Sequence, residues 1–342
     1  MVRKLTFLLI FVIFSSISIC QIPSLSNIPQ LFKGKYPIPS WIKPGLVTVY
    51  EMEGGTRTLP TGQESSAFYG KGYAVFIVTQ VENNLIYGLT LFAYDYPGIM
   101  VTPPNPMILY GSIYVDPRDI QEILSQREEY ERQGIIVKGG QYGEGIRWVN
   151  ITYKSTSYTI FISEDGKAQK FLFSEKQENG SSVINMQLMG LFYTNCPEIE
   201  DFPEAARENH SYEIYSYDPF YTGLTTPAGR ETIEFQNIQK PIASYRLSYY
   251  TADMMVPISQ TINGLPLLGP HYIHPELLNK DTILEIPEIN LSWVNEGEDG
   301  EIDSIIYFNG QESLRINCDQ RGLVTRMQYP FSGFIIITQL ER

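Results

Sequence analysis

Two stretches of this chain, GSIYVDPRDI (111–120) and GPHYIHPELL (269–278), match in register as G-x-x-Y-[VI]-x-P-x-x-[IL]. A second anchor follows each of them. YTIFISEDGKAQKFLFS (158–174) and SLRINCDQRGLVTRMQY (313–329) both read as a strand, a polar turn closed by glycine, and a strand. The leading and closing glycines are 55 residues apart in the first case (Gly111 to Gly166) and 53 in the second (Gly269 to Gly322). A W-V-N tripeptide lies between the anchors in both, at Trp148 and Trp293, with an offset that requires an insertion or deletion. Near-equal spacing of matched anchors is the mark of an internal duplication. Such a chain is expected to fold as two copies of one unit.

The content of that unit is read from local pattern. Leu46 to Tyr50, Tyr73 to Val81 and Leu85 to Tyr94 are β-branched and aromatic runs, and Glu82-Asn83-Asn84 reads as a short hairpin turn. The Gly-rich stretch 54–72 and the polar stretch 174–182 read as loops. Further strands are expected over 146–153, 158–163, 169–173 and 183–193, then over 211–217, 231–238, 244–250 and onward to Leu340. One strong helix interrupts them. Asp116 is a good N-cap, Pro117 suits the first helical position, and Gly134 stops an amphipathic run over 117–133. The matching helix after Pro275 is expected to be about one turn long.

The fold class is therefore mainly β: two similar lobes, each an antiparallel sheet or half-barrel with one packed helix or helical turn. A single core seldom grows beyond ~250–300 residues, and 342 residues exceed that. The expected organisation is a leader at 1–20, an extended proline-rich lead-in at 21–44, and a first lobe at 45–194. An acidic, proline-broken linker at 195–210 and a second lobe at 211–342 complete it.

The leader is expected from Arg3 and Lys4 followed by an apolar run from Leu5 to Phe14, the layout of a secretory signal peptide. That run is about half the roughly 20 residues of a membrane-spanning helix, and no second stretch is long enough to span. A lipid anchor on Cys20 is disfavoured, because Ile19 before it is not small. The expected location is secreted or extracytoplasmic, in the cell envelope. Losing Arg3 and Lys4 with the leader would take the formal charge from −13 to −15. A body that acidic, with no basic run, is repelled by phosphate backbones, so nucleic acid is not an expected partner.

Chemistry is sparse. With Cys20 removed, only Cys196 and Cys318 remain, as one disulfide or as two separately buried thiols, both readings being open. His271 and His274 are weak metal candidates. Their i,i+3 spacing falls at a strand-to-helix junction, and the third histidine, His210, stands in the linker. The segment 295–303 resembles a calcium loop through Asn295, Asp299, Gly300 and Asp303, but Ile306 stands where a closing Glu belongs. The reading that fits these positions best is structural: Tyr114, Asp116 and Pro117 in one joint, Tyr272, His274 and Pro275 in the other. No nucleophile motif, zinc motif or phosphate loop is present, and no cofactor is expected.

Two functional classes remain. The first is a non-enzymatic binding or scaffold protein whose Tyr- and Phe-rich sheets hold an apolar, glycan or peptide ligand. The second is a secreted carbohydrate hydrolase using cleft carboxylates, with Glu51, Glu53 and Asp95 at strand ends as the visible acids.

Overall fold

The computed structural model describes residues 31–32, 34–58, 65–95, 99–177, 180–251, 257–297, 301–331 and 334–341. The expected leader with Cys20, the start of the expected lead-in, and Asp299 and Gly300 lie outside the described residues. The protein is mainly β, and the described residues form two antiparallel sheets of ten strands each, with short helices. No helix among the described residues is long and apolar enough to cross a membrane.

The first sheet comprises β1 (Leu46–Thr58), β2 (Ser65–Glu82), β3 (Leu85–Tyr94), β4 (Met100–Val101), β5 (Asn105–Ile108), β6 (Ile135–Gln141), β7 (Ile146–Tyr153), β8 (Thr156–Ser163), β9 (Ala168–Gln177) and β10 (Gly180–Tyr193). Its order is β4-β3-β2-β1-β10-β9-β8-β7-β6, with β5 paired to β3. The second sheet comprises β11 (His210–Tyr217), β12 (Thr225–Gln239), β13 (Ile242–Tyr250), β14 (Ile258–Gly264), β17 (Thr282–Ile286), β18 (Leu291–Glu296), β19 (Glu301–Phe308), β20 (Gln311–Asp319), β21 (Val324–Phe331) and β22 (Phe334–Leu340). Its order is β14-β13-β12-β11-β22-β21-β20-β19-β18-β17. The first strand of each sheet thus lies beside its last, β1 by β10 and β11 by β22. The small pair β15 (Leu268–Gly269) and β16 (Tyr272–Ile273) stands apart.

By packing, the described chain divides into two compact units. One holds the described residues up to Gly88 together with Ile108–Phe192, and the other holds Leu89–Met107 and everything from Tyr193 onward.

Three local expectations need correction. The helix expected over 117–133 is broken at Gln126 into α1 (Pro117–Ser125) and α2 (Arg127–Arg132). Its apolar side still faces the sheet, with Ile120, Ile123 and Tyr130 buried. The stretches read as loops at 54–72 and 174–182 are largely strand. β1 and β2 pair as far out as Thr58 and Ser65, and β9 and β10 as far as Gln177 and Gly180. Polar and glycine residues weaken β propensity, but a cross-strand partner supplies the ladder bonds that propensity does not. The turn at Asn83-Asn84 is as expected, both residues having positive φ (52° and 58°), as a tight two-residue hairpin requires.

The W-V-N match is also corrected. Trp148 lies on β7, the second strand before the Gly166 turn, opposite Phe161. Trp293 lies on β18, the third strand before the Gly322 turn, opposite Ile306. The two tryptophans are not equivalent. Where the first half has α1 and α2, the second has a one-turn helix, α3 (Pro275–Leu278), and an added edge strand, β17.

Candidate functional site

The joints flagged by the sequence are built on one hydrogen-bond frame. In the first, Val115 N donates to Gly166 O (3.0 Å), Ala168 N to Ile113 O (3.0 Å) and Gly166 N to Ser163 O (2.9 Å). In the second, Ile273 N donates to Gly322 O (2.8 Å), Val324 N to His271 O (2.9 Å) and Gly322 N to Asp319 O (2.9 Å). Each closing glycine has positive φ, 83° at Gly166 and 84° at Gly322, and a Cβ at either would strike a facing carbonyl, that of Val115 in the first joint and of Ile273 in the second. A tyrosine from the first strand of each sheet completes the frame. Tyr50 donates to Ala168 O (2.9 Å) and Tyr212 to Val324 O (2.9 Å). Nothing in the local pattern marks these two tyrosines, because their partners are more than a hundred residues away.

The helix start is shared as well. Asp116 caps α1 by accepting from Arg118 N (2.8 Å), with Pro117 at the first helical position. His274 caps α3 in the same way, its Nδ1 accepting from Glu276 N (3.2 Å) ahead of Pro275. Burial raises the Asp116 carboxyl, but the side-chain and backbone bonds from Arg118 outweigh it and hold the group below the usual carboxylate range. Tyr114 donates to Asp116 (3.3 Å), and Tyr272 to Leu265 O (2.8 Å). Tyr114, Asp116, Tyr272 and His274 thus form side-chain hydrogen bonds within their joints, and Pro117 and Pro275 open the helices.

A leading segment folds onto each joint. Phe32, Trp41 and Tyr36 of the lead-in pack on Gly111, Tyr114 and Arg118 respectively. In the second unit the covering segment comes from the stretch expected to be a linker. Its short 3₁₀ turn, Glu204–Arg207, buries Ala205 and Ala206 among Tyr212, Tyr245, Tyr272 and Leu323. His271 Nε2 lies 2.9 Å from Ala205 O, and Tyr245 donates to Ala206 O (2.8 Å). The stretch from 195 to 210 is acidic in composition, yet its two alanines belong to the core.

The histidines come together differently from the expectation. His210, set aside by its place in the chain, lies beside His271 with its ring tilted to it (centroids 5.2 Å apart), while His274 is occupied as the cap. His271 is fully buried, its Nδ1 has no partner, and burial pushes its pKa down to about 4. Among the described residues no group of three or more His, Cys, Asp or Glu is arranged to hold a metal. Asp303 is bonded to Arg315 and Asn317. Asn295 gives its amide to Leu277 O (2.8 Å) and Lys280 O (2.7 Å), closing the end of α3. Both are committed elsewhere than to a cation. Cys196, half-buried, and Cys318, buried, are free thiols, and burial pushes both thiols up, Cys196 to about 12. Glu51, Glu53 and Asp95 are exposed.

One further carboxylate stands out, which is not among the candidates named from the sequence. Glu231 on β12 is registered between Tyr212 on β11 and Tyr249 on β13, both buried, so the three share one face across three strands. Along β12 the same parity carries Ile233, packed in the core, and Phe235 against it. Among the described residues no hydrogen-bond or ion-pair partner meets the Glu231 carboxyl, and Arg230 beside it points to Glu341 (2.6 Å). Its side chain keeps a partial path to solvent, but surrounding protein pushes the carboxyl up to about 7, burial being the only cause. The signal was present in the alternation of ETIEF: Glu231 occupies the parity of Ile233 and Phe235 rather than that of Thr232 and Glu234.

No protein-family model and no curated protein matches the chain. Among solved structures it is similar to a protein of unknown function from the DUF3598 family of Nostoc punctiforme. That match has 10% identity and a TM-score of 0.16, and it covers 91% of this chain and 97% of that one. It is also similar to a β-barrel-like protein of the domain of unknown function DUF1849 from Brucella abortus, at 10% identity and a TM-score of 0.15, with 87% and 96% covered. Likenesses at such TM-scores carry no functional weight.

Proposed function

We propose that this is a secreted or envelope-located binding protein, built by duplication, whose second sheet holds an apolar ligand bearing a basic nitrogen. The observation that carries the reading is Glu231, a carboxyl on the apolar face of β12, flanked by two buried tyrosines and lacking a counter-charge among the described residues. Leaving an acid on a core face costs stability unless something completes it. An ammonium group would do so by pairing with the carboxylate, and aromatic faces beside it favour the same cation. The acidic chain, at −13, raises the local concentration of cations and disfavours anions. The hydrolase alternative needs a second convergent carboxyl, and no acid contributes to the shift at Glu231.

The test is a calorimetric titration with tryptamine, using tryptophol, the same ring system with a hydroxyl in place of the amine, as control. Saturable tryptamine binding that weakens at least ten-fold in Glu231→Gln, with tryptophol indifferent to the change, supports the site. Absence of binding for both compounds, or equal binding to the variant, removes it.

A further inference from the structure

The loop from Asp218 to Leu224, joining β11 to β12, exposes three large apolar side chains within five residues. Phe220 is 76% exposed, Tyr221 91% and Leu224 61%. Exposed apolar residues scattered singly are ordinary, but a cluster at one hairpin tip is not. The loop is also held in shape. The Asp218 carboxylate accepts from Phe220 N (3.1 Å), Tyr221 N (3.0 Å) and Thr222 Oγ1 (3.1 Å). Gly223 N donates to Asp218 O (2.8 Å) and Asp218 N to Leu224 O (3.2 Å). The three side chains are therefore displayed by an ordered backbone, so docking them costs little further ordering.

The surroundings narrow the partner. From Pro219 to Gly229 the sequence PFYTGLTTPAG carries no charge, and Asp218 turns its carboxylate back into the loop. A tip without a cation, on a chain of charge −13, is not suited to anionic lipid or nucleic acid. Size argues against a stable protein partner. Aromatic side chains bury at most ~150–250 Å² each, so this tip supplies well under the ~800 Å² per partner of a standard protein interface. It suits insertion into a bilayer interface, where aromatic side chains with a polar end are at home and a few of them give reversible binding.

We infer that the Asp218–Leu224 loop is a lipid-docking tip that inserts Phe220, Tyr221 and Leu224 into the interface of an electrically neutral membrane. This is independent of the Glu231 site and stands if that site fails.

The experiment is flotation with phosphatidylcholine vesicles, wild-type and variant proteins sharing the same N-terminus. The expected result is partition of the wild type onto pure phosphatidylcholine, weakened when 30% of the lipid is replaced by phosphatidylglycerol. Phe220→Ser/Tyr221→Ser/Leu224→Ser should lose at least ten-fold in partition with an unchanged melting temperature, since none of the three is buried. Asp218→Ala, which keeps the apolar groups but releases their backbone, should lose a smaller factor. Three results overturn the inference: no partition of the wild type, equal partition of the triple variant, or a concentration-dependent dimer that the triple variant abolishes, which would make a second copy the occupant.

Discussion

The joints at 111–120 and 269–278 close the same hydrogen-bonded frame, yet at two of the positions where they differ the second places a histidine, one in place of an isoleucine and one in place of an aspartate. Where the first has Ile113, the second has His271. Where the first caps its helix with Asp116, the second uses His274. At the cap the exchange preserves geometry, because a neutral Nδ1 accepts a backbone N–H as a carboxylate oxygen does, though more weakly. In the core it changes the chemistry. Ile113 needs no partner, whereas His271 commits Nε2 to Ala205 and leaves Nδ1 buried without one. The first joint is thus held by burial and a charged cap, and the second by polar contacts that a proton can disturb.

The comparison breaks most readily at the glycines. Gly166→Ala and Gly322→Ala each combine a left-handed backbone with a collision against a facing carbonyl, and should cost ~3–5 kcal/mol. Urea denaturation measures this, and a loss under 1 kcal/mol at either would show that the frame is not held as described.

The next effect is the acid response. The His271 pKa is near 4 in the fold against 6.5 for the free side chain, so on acidification the unfolded chain takes up this proton first. The stability linked to it is intact above about pH 6.5, falls as pH drops toward 4, and amounts to roughly 3 kcal/mol. His210 and His274 are also held low, principally by burial, and act in the same sense. His271→Ile, which copies the first joint, should cost about 1 kcal/mol at neutral pH by orphaning the Ala205 carbonyl. It should also flatten the loss between pH 6.5 and 4. An unchanged acid slope would assign the response to other groups.

The smallest effect is at the caps. Asp116→Ala should cost ~1–2 kcal/mol and His274→Ala about half a kcal/mol, while His274→Asp should gain a few tenths. Equal costs for the two alanine variants would mean that the charge on Asp116 adds nothing.

Much of this fold was legible because its signals are local. The Asn83-Asn84 turn, the caps at Asp116-Pro117 and His274-Pro275, and the closing glycines are each specified by one or two residues whose conformational preferences act before any tertiary contact. The spacing of G-x-x-Y-[VI]-x-P to its closing glycine revealed the shared frame for the same reason. W-V-N misled because a short polar–apolar match says nothing of which strand it lies on, and β17 has no counterpart in the first half. The stretch 195–210 misled because composition averages over residues. Its many acidic, polar and proline residues conceal that Ile199, Pro203, Ala205 and Ala206 become buried.

From the residues alone, then, came the strand-rich class, the two-part architecture and the chemistry of the joints, all set by backbone preference and alternation along the chain. The tertiary structure decided which distant groups meet: Tyr50 with Ala168 and Tyr212 with Val324, His210 with His271, and Glu231 with two tyrosines. Those meetings depend on strand order and register, which are settled by the joint packing of residues far apart in sequence. The site proposed here belongs to that second kind, since an acidic residue within a strand acquires its meaning only from the strands that end up on either side of it.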